Sequence, residues 1–353
     1  MVSKAAQRIN SILAPFAIRL NIFLPLKQLF ESLYHGLQLD SPAARALMLR
    51  IGRGELSEAA IAALTAVYRM RPITAAELNG FREALLELCV PVKLDRTDTL
   101  DIVGTGGDGK NTFNISTTSA FVVAGAGIPI TKHGSYGVSS NSGSSDVLLQ
   151  LGSTFATDSA GLQRQLDRAG ICFLHAPLFH PALKHAVPVR KALRVKTFFN
   201  MLGPLVNPLQ PDYQLFGTYD LRLAALYQDL LTQAKKRFTV AYALDGYDEV
   251  SLTGPFQLRT ATGTTLHLPE DLGLSHYTPT DLYGGENAED AARILLAVLE
   301  NKATPAQRDV VLANAAVAIR TVRPEASLLD CVAAARESLA SGAARETLTR
   351  LIA

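Results

Sequence analysis

Apolar positions recur with a helical period in the first part of the chain. Between Leu26 and Val90 they repeat every three or four residues, which is typical of helices that pack by one face. Ser57-Glu58 predicts one helix start, and the capping box Thr74-Ala75-Ala76-Glu77 predicts another, with Pro72 between them. This part of the chain is therefore predicted to be a small helical domain without strands.

From Thr99 onward, short β-like runs alternate with helical segments, which is typical of parallel βαβ units. We predict a helix over Leu221–Lys235, a mostly amphipathic helical tail from Glu286 to Ile352, and a helical segment His180–Leu193 interrupted by Pro188. The predicted strands are Leu100–Val103, Ile128–Lys132, Thr154–Ala156, Cys172–Leu174, Gln214–Gly217 and Phe238–Ala243. The predicted fold class is α/β: a small N-terminal helical domain and a larger domain with a mostly parallel central sheet.

Two polar segments follow the first two predicted strands. DIVGTGGDGKNTFNIST, at residues 101–117, passes from a strand through a glycine-rich turn to a helix start. Backbone N–H groups in such a turn, and at a helix N-terminus, can converge on an anion. KHGSYGVSSNSGSSD, at residues 132–146, adds a lysine and many hydroxyls. Since ligands of open α/β sheets bind at the carboxyl ends of strands, two such segments predict one extended phosphorylated ligand, although each also fits an ordinary surface loop.

Two further charged segments are candidates for chemistry. Asp248-Glu249 follows the predicted strand Phe238–Ala243 and Gly246, and adjacent carboxylates suit Mg²⁺, which takes oxygen ligands. An exposed acidic turn is the alternative. The basic stretch from Lys184 to Lys196 contains Arg190, and its composition also fits a solvated helix face. No Ser–His–Asp or Cys–His catalytic set is evident, so nucleophilic catalysis by a side chain is not predicted.

Composition excludes several classes of function. The chain has 353 residues, enough for about two domains, and a net charge of only +2, which argues against a nucleic-acid-binding surface. Its three cysteines, Cys89, Cys172 and Cys331, are widely separated in apolar contexts, which favours reduced thiols in a cytoplasmic protein. No apolar run reaches the ~18–20 residues that a membrane span needs.

The first 25 residues form an extension of uncertain role. Lys4 and Arg8 precede the apolar run Ile12–Ile18, but Arg19 interrupts this run and no clear cleavage site follows. An extra helix, an interaction arm or translation from an upstream start codon are the alternatives. The last two are favoured over secretion.

Four segments, in this order, resemble the signature segments of anthranilate phosphoribosyltransferases: GTGGDGKNTFNIST, KHGSYGVSSNSGSSDVLLQLG, HPALKHAVPVRKALRVKTFFNMLGPLVNP and DGYDEVS. The resemblance extends from about Leu26 to the C-terminus. It implies transfer of the phosphoribosyl group of phosphoribosyl pyrophosphate to the amine of anthranilate, the second step of tryptophan biosynthesis, with two Mg²⁺ ions and a homodimer. It also implies a helical domain of residues 26–95 completed by about 168–205, and an α/β domain of residues 96–167 and 206–353.

The resemblance also assigns residues to roles. Catalysis falls to Lys132, His133 and Arg190, metal binding to Ser116, Asp248 and Glu249, and anthranilate binding to Gly104, Ser135 and Arg190. The implied contacts to phosphoribosyl pyrophosphate are Gly104, Gly107, Asp108, Thr112, Asn114, Ile115, Ser116, Thr117, Lys132, His133, Gly134, Ser139, Ser140 and Ser144. Lys132 is the expected cation for pyrophosphate, and Arg190 the expected clamp for the acceptor's carboxylate.

One departure from the family pattern concerns the acceptor. The family usually has Asn directly after KHG and often Arg next, where this chain has Ser135 and Tyr136. Acceptor affinity and identity are therefore open. The alternatives are a related phosphoribosyltransferase or a pyrimidine-nucleoside-phosphorylase-like enzyme, which would not need Asp248-Glu249, and a non-catalytic nucleic-acid-binding relative, which would need a strong positive charge.

Overall fold

The computed structural model describes residues 25–137 and 141–353, which divide into two units. One unit holds residues 25–88 together with 182–198, and the other holds the remainder. The segment that returns to the helical unit is thus shorter than the predicted 168–205, because Ile171–His175 is a strand of the sheet. The N-terminal extension lies outside the described residues. Within the described ranges, no helix is both long and apolar enough to cross a bilayer.

The helices are numbered in chain order. They are α1 Leu26–Tyr34, α2 Ser41–Gly52, α3 Glu58–Met70, α4 Ala75–Glu87, α5 Ile115–Gly125, α6 Ser144–Gln150, α7 Ser159–Ala169, α8 Ala176–Phe179, α9 Val187–Leu193, α10 Leu221–Gln233, α11 Ala288–Leu299, α12 Pro305–Val322, α13 Leu328–Ala340 and α14 Ala343–Ile352. Short 3₁₀ helices cover Pro181–His185, Phe198–Met201, Gly203–Val206, Pro269–Leu272 and Pro279–Leu282.

The two helix starts that the sequence predicts, at Ser57 and Thr74, are present in the helical unit. Ser57 caps α3 by accepting from the N–H of Ala60 at 3.3 Å, and Thr74 caps α4 in the predicted capping box. Glu77 of that box is also fully buried and accepts hydrogen bonds from Arg71 and from the N–H of Leu39. Burial alone would raise the pKa of Glu77, yet these partners hold it below its ordinary value. The buried carboxylate is therefore paired and joins the ends of two helices.

The α/β unit is built on one seven-stranded sheet in the order β3-β2-β1-β4-β5-β6-β7. The strands are β1 Leu100–Gly104, β2 Ile130–Gly134, β3 Ile171–His175, β4 Tyr213–Thr218, β5 Arg237–Ala243, β6 Phe256–Thr260 and β7 Gly263–His267. The first five run parallel, as predicted, while β6 and β7 form an antiparallel hairpin at one edge that the sequence analysis missed.

Two further predictions are corrected. Thr154–Ala156 is not a strand, because this short segment lies between the end of α6 and the Asp158 cap of α7, and no sheet partner pairs with it. The C-terminal tail is helical, but α12 is not amphipathic: its residues from Val310 to Ile319 are all buried. This helix packs against β4 and β5, and also against α5, so it forms the centre of the core.

Candidate active site at the carboxyl ends of the strands

The parallel strands bring the predicted phosphate-binding segments to one edge of the sheet. β1 ends at Gly104 beside Gly217 of β4, and β2 ends at Gly134. The glycine-rich loop then runs from the end of β1 to α5. Gly106 and Gly107 have φ values of +68° and +79°, a left-handed conformation that glycine adopts without strain. The loop can therefore fold back over the strand ends.

The loop after β5 enters this edge through a slot made by two glycines. A Cβ atom on Gly104 would overlap the side chain of Asp248, and one on Gly217 would overlap its backbone carbonyl. Asp248 Oδ2 accepts a 2.6 Å hydrogen bond from the N–H of Gly106, and Glu249 Oε1 accepts one of 3.2 Å from the N–H of Ser116. The two carboxylates are thus fixed against the glycine-rich loop and the first turn of α5.

These carboxylates carry more negative charge than their surroundings balance. Burial raises the pKa of Asp248 well above its ordinary value, and the neighbouring carboxylates of Glu249 and Asp108 raise it further. Burial likewise raises the pKa of Glu249 to about 7, although Lys132 and the N–H of Ser116 oppose the shift. Oxygen donors in excess of positive charge fit a divalent cation such as Mg²⁺. The described residues contain no cluster of three or more His, Cys, Asp or Glu side chains arranged for a metal.

Lys132 lies in the middle of β2 and is held by buried polar groups. It is only 2% exposed, and its Nζ donates to the carbonyl of Ile102 at 2.5 Å. Burial lowers the pKa of Lys132, whereas the nearby carboxylates of Asp101 and Glu249 favour its charged form. The lysine therefore sits between a structural carboxylate and a candidate metal ligand, close to the expected position of pyrophosphate.

Asp101 on β1 positions the segment that contains Lys132 and His133. Its Oδ1 accepts from the N–H of His133 at 3.1 Å, and its Oδ2 accepts from Asn207 Nδ2 at 2.9 Å. Asn207 also donates to the carbonyl of Thr131 at 2.8 Å. Burial raises the pKa of Asp101 to about 6. Asp101 was not among the predicted site residues, although a carboxylate inside an apolar strand is a signal of buried polar pairing.

Two histidines meet beside this segment. The rings of His133 and His180 are 5.2 Å apart in an edge-to-face arrangement, and His180 Nε2 bonds to the carbonyl of Val206 at 2.7 Å. Burial lowers the pKa of His180 to about 4 and that of His133 well below its usual range, so both rings are neutral at pH 7. Among the described residues, neither His133 Nε2 nor Thr105 Oγ1 has a hydrogen-bond partner, although both atoms are buried. These atoms are available to a ligand.

The second polar loop is tied back on itself and to the first. The carbonyl of Ser135 accepts from the N–H of Ser145 at 3.1 Å and from Ser144 Oγ at 3.4 Å. Ser142 Oγ donates to Asn114 Oδ1 at 3.2 Å, which joins the two loops. The ring of Tyr136 packs edge-on against His175, with 4.8 Å between centroids. Tyr136 is therefore placed by an aromatic contact, where an arginine would carry charge.

A distant loop supports both phosphate-binding segments. The carbonyl of Gly285 accepts hydrogen bonds from Asn111 Nδ2 and from Asn141 Nδ2, each at 3.1 Å. The N–H of Gly284 donates to the carbonyl of Asn111 at 2.9 Å, and Thr112 forms an antiparallel bridge with Tyr283. One short turn before α11 thus fixes the relative position of the two loops.

Family models and relatives agree with this arrangement. A model described as the α/β domain of a glycosyl transferase family matches residues 96–345, and one for its helical bundle domain matches residues 27–89. The anthranilate phosphoribosyltransferase of Cytophaga hutchinsonii is 51% identical over 93% of this chain and 100% of its own. The chain belongs to the anthranilate phosphoribosyltransferase family.

Solved structures of this family have the same fold. The Saccharomyces cerevisiae anthranilate phosphoribosyltransferase in complex with phosphoribosyl pyrophosphate and Mg is 28% identical, with a TM-score of 0.87 over 93% of this chain and 96% of that one. The same yeast enzyme in complex with 4-fluoroanthranilate is 27% identical, with a TM-score of 0.83 over the same shares.

The structure gathers most of the predicted site residues at the sheet edge, with five exceptions. Ser139 and Ser140 lie outside the described residues. Ile115 and Thr117 lie in the first turn of α5, where each residue is buried and only 1% exposed. Arg190 belongs to the helical unit, where it lies on α9, and burial lowers the pKa of its guanidinium.

Proposed function

We propose that this protein carries out the reaction of its family at the edge formed by β1, β2, β4 and β5. The phosphoribosyl group of phosphoribosyl pyrophosphate is transferred to the amine of anthranilate, which gives N-(5-phosphoribosyl)anthranilate and pyrophosphate in the second step of tryptophan biosynthesis. The observation that carries the proposal is the position of Asp248 and Glu249, each of which accepts a hydrogen bond from the backbone of the glycine-rich segment.

Asp248, Glu249 and Ser116 would hold Mg²⁺ together with oxygens of the pyrophosphate. When bound, the metal would neutralise charge on the phosphates, which is the usual contribution of Mg²⁺ in sites shared with a substrate. Two ions are proposed, as the resemblance to the family implies, and Asp108 is a further carboxylate near Asp248 and Glu249.

The chain's own contribution to the reaction is charge placement. Displacement of pyrophosphate from C1 passes through a cation-like ribose, so the departing group needs positive charge and the acceptor needs a fixed position. Lys132 and the N–H groups of the glycine-rich loop supply the positive charge for the departing pyrophosphate. The neutral rings of His133 and His180 are suited to an aromatic acceptor, since they offer apolar faces and hydrogen-bonding nitrogens without a competing charge.

Acceptor recognition is the last part of this proposal. Arg190 is assigned to the carboxylate of anthranilate, because a planar guanidinium matches a carboxylate with two parallel hydrogen bonds. Ser135 and Gly104 are assigned to the acceptor side of the loop edge. A homodimer and a cytoplasmic location complete the proposal.

The deciding experiment combines turnover with binding. Mixing the protein with Mg²⁺, phosphoribosyl pyrophosphate and anthranilate should consume anthranilate, measured as loss of its fluorescence. Calorimetry should show weak binding of Mg²⁺ alone and tight binding with phosphoribosyl pyrophosphate, because the substrate completes the metal shell. No turnover with anthranilate, together with phosphorolysis of a pyrimidine nucleoside, would favour the phosphorylase alternative.

A matched pair of variants tests the metal assignment. The double change Asp248→Asn and Glu249→Gln should abolish Mg²⁺-dependent binding of phosphoribosyl pyrophosphate. Asp245→Asn is the control, because Asp245 lies in the same loop but is exposed and bonds to Thr253 instead. Unchanged turnover in the double variant, or equal losses in both proteins, would remove these carboxylates from the site.

A further inference from the structure

Asn314 is a buried amide in the middle of α12. Asn314 is only 2% exposed, and most of its neighbours on this helix are aliphatic. Asn314 Oδ1 accepts from the N–H of Val250 at 3.0 Å, and Nδ2 donates to the carbonyls of Val250 at 2.9 Å and Val310 at 2.8 Å. Both amide donors and the acceptor are therefore used.

These hydrogen bonds meet the backbone directly after the candidate metal ligands. Val250 follows Glu249, in a segment between β5 and β6 that has no strand partner. A buried N–H and carbonyl without partners would destabilise this conformation, since water cannot reach them. The side-chain amide of Asn314 takes the place of a neighbouring strand, because it pairs with both the N–H and the carbonyl of Val250. The conformation of the carboxylate segment thus depends on a residue 64 positions away in the chain.

The same helix also touches the other side of the site. Ser119 of α5 donates through Oγ to the carbonyl of Val311 on α12 at 3.2 Å. Ser116, three residues earlier, lies in the first turn of α5, and its backbone N–H donates to Glu249. Through Val250 and Ser119, α12 therefore holds two parts of the candidate metal site at once: the carboxylate segment and the helix start that faces it.

We propose that Asn314 is a positioning residue that fixes the metal-binding carboxylates by pairing with the backbone of Val250. This rests on the proposed function, in which Asp248 and Glu249 bind Mg²⁺. Asn314 touches no substrate; it acts on the reaction through the position of Glu249.

The test compares two changes on the same helix. Asn314→Leu keeps the branched shape of the side chain but removes all three hydrogen bonds, and Thr321→Val is the control. Thr321 also bonds across to β5, through Thr239 at 2.8 Å, but in the amino-terminal half of the strand, away from the carboxyl edge. Both changes should lower the melting temperature of the protein. Asn314→Leu alone should raise the Mg²⁺ concentration for half-maximal turnover at least tenfold, with KM for anthranilate within about twofold.

Hydrogen exchange gives a readout that does not depend on activity. A peptide covering residues 248–252 should exchange faster in Asn314→Leu than in the wild-type protein, and at the wild-type rate in Thr321→Val. Where the leucine variant is too unstable to purify, Asn314→Ser keeps one small polar group and should show the same shift in Mg²⁺ dependence. Equal Mg²⁺ dependence in all active variants overturns the role of Asn314. Absence of turnover in the wild-type protein instead overturns the proposed function. The hydrogen-exchange result then decides alone whether Asn314 fixes the segment around Val250.

Discussion

A single added methyl group at Gly284 should disturb phosphate binding from outside the ligand-contacting segments. Gly284 lies against the backbone of Thr112 and Phe113, and a Cβ atom built there would be 2.5 Å from the nitrogen of Phe113. Cβ atoms in folded proteins essentially never come closer than 3.0 Å, so something must move by at least about half an ångström. Gly284 has no positive φ, so alanine fits its backbone and the effect is steric alone.

The resulting movement has a predictable direction and size. Phe113 is 1% exposed and packed in the core, so it resists displacement, and the strain falls on the loop that carries Thr112 and Asp108. Overpacking of this kind costs about 1–3 kcal/mol. Because a 1 Å misplacement of binding groups can cost about a hundredfold, half of that predicts a rise of about tenfold in KM for phosphoribosyl pyrophosphate. KM for anthranilate should change less.

The control is Gly254→Ala, which adds the same methyl group in the same unit. Its Cβ atom would have no neighbour closer than 3.8 Å, so it should leave both KM values unchanged. Initial rates at varied phosphoribosyl pyrophosphate and fixed Mg²⁺ measure the difference. The reasoning is refuted if Gly284→Ala keeps the wild-type KM, or if both alanine variants weaken binding equally.

Three further changes test other parts of the molecule. Arg190→Ala should raise KM for anthranilate by about tenfold to a hundredfold, the value of a contact worth roughly 1.5–3 kcal/mol, while binding of phosphoribosyl pyrophosphate measured by calorimetry stays intact. Ser135→Asn should lower KM for anthranilate by a few-fold, since one net hydrogen bond contributes roughly 0.5–1.5 kcal/mol; a loss of turnover would instead mean that Ser135 and Tyr136 form a repacked loop. Glu77→Gln should destabilise the helical unit by about 3 kcal/mol at pH 7. Because the folded pKa of Glu77 is lowered, its contribution is present above pH ~4.3 and is lost as pH falls through the folded value, so thermal unfolding of the variant should depend less on acid pH.

The loops of the candidate site could be predicted because the residues assigned to ligand binding occur close together in the chain. The glycine-rich turn and Asp248-Glu249 each follow a strand that the sequence predicts, and Lys132 ends another. The parallel sheet brings them to one edge. The β6–β7 hairpin was missed. So was the burial of α12, because a helix buried on all faces has no amphipathic period to detect.

The supporting residues could not be predicted, since their partners are set by topology. Asn111 and Gly285 are 174 positions apart, and Val250 and Asn314 are 64 apart, so no local pattern links them. Each of these supporting residues contacts backbone groups. Some donate or accept hydrogen bonds there, and the glycines allow close packing because they have no side chain. Because every residue has the same backbone groups, the residue type of the partner gives no sign of such a contact in the sequence. The residues that bind a ligand and the residues that hold them therefore differ in kind: the first are recognised by their own chemistry, and the second only by the structure that places a distant backbone against them.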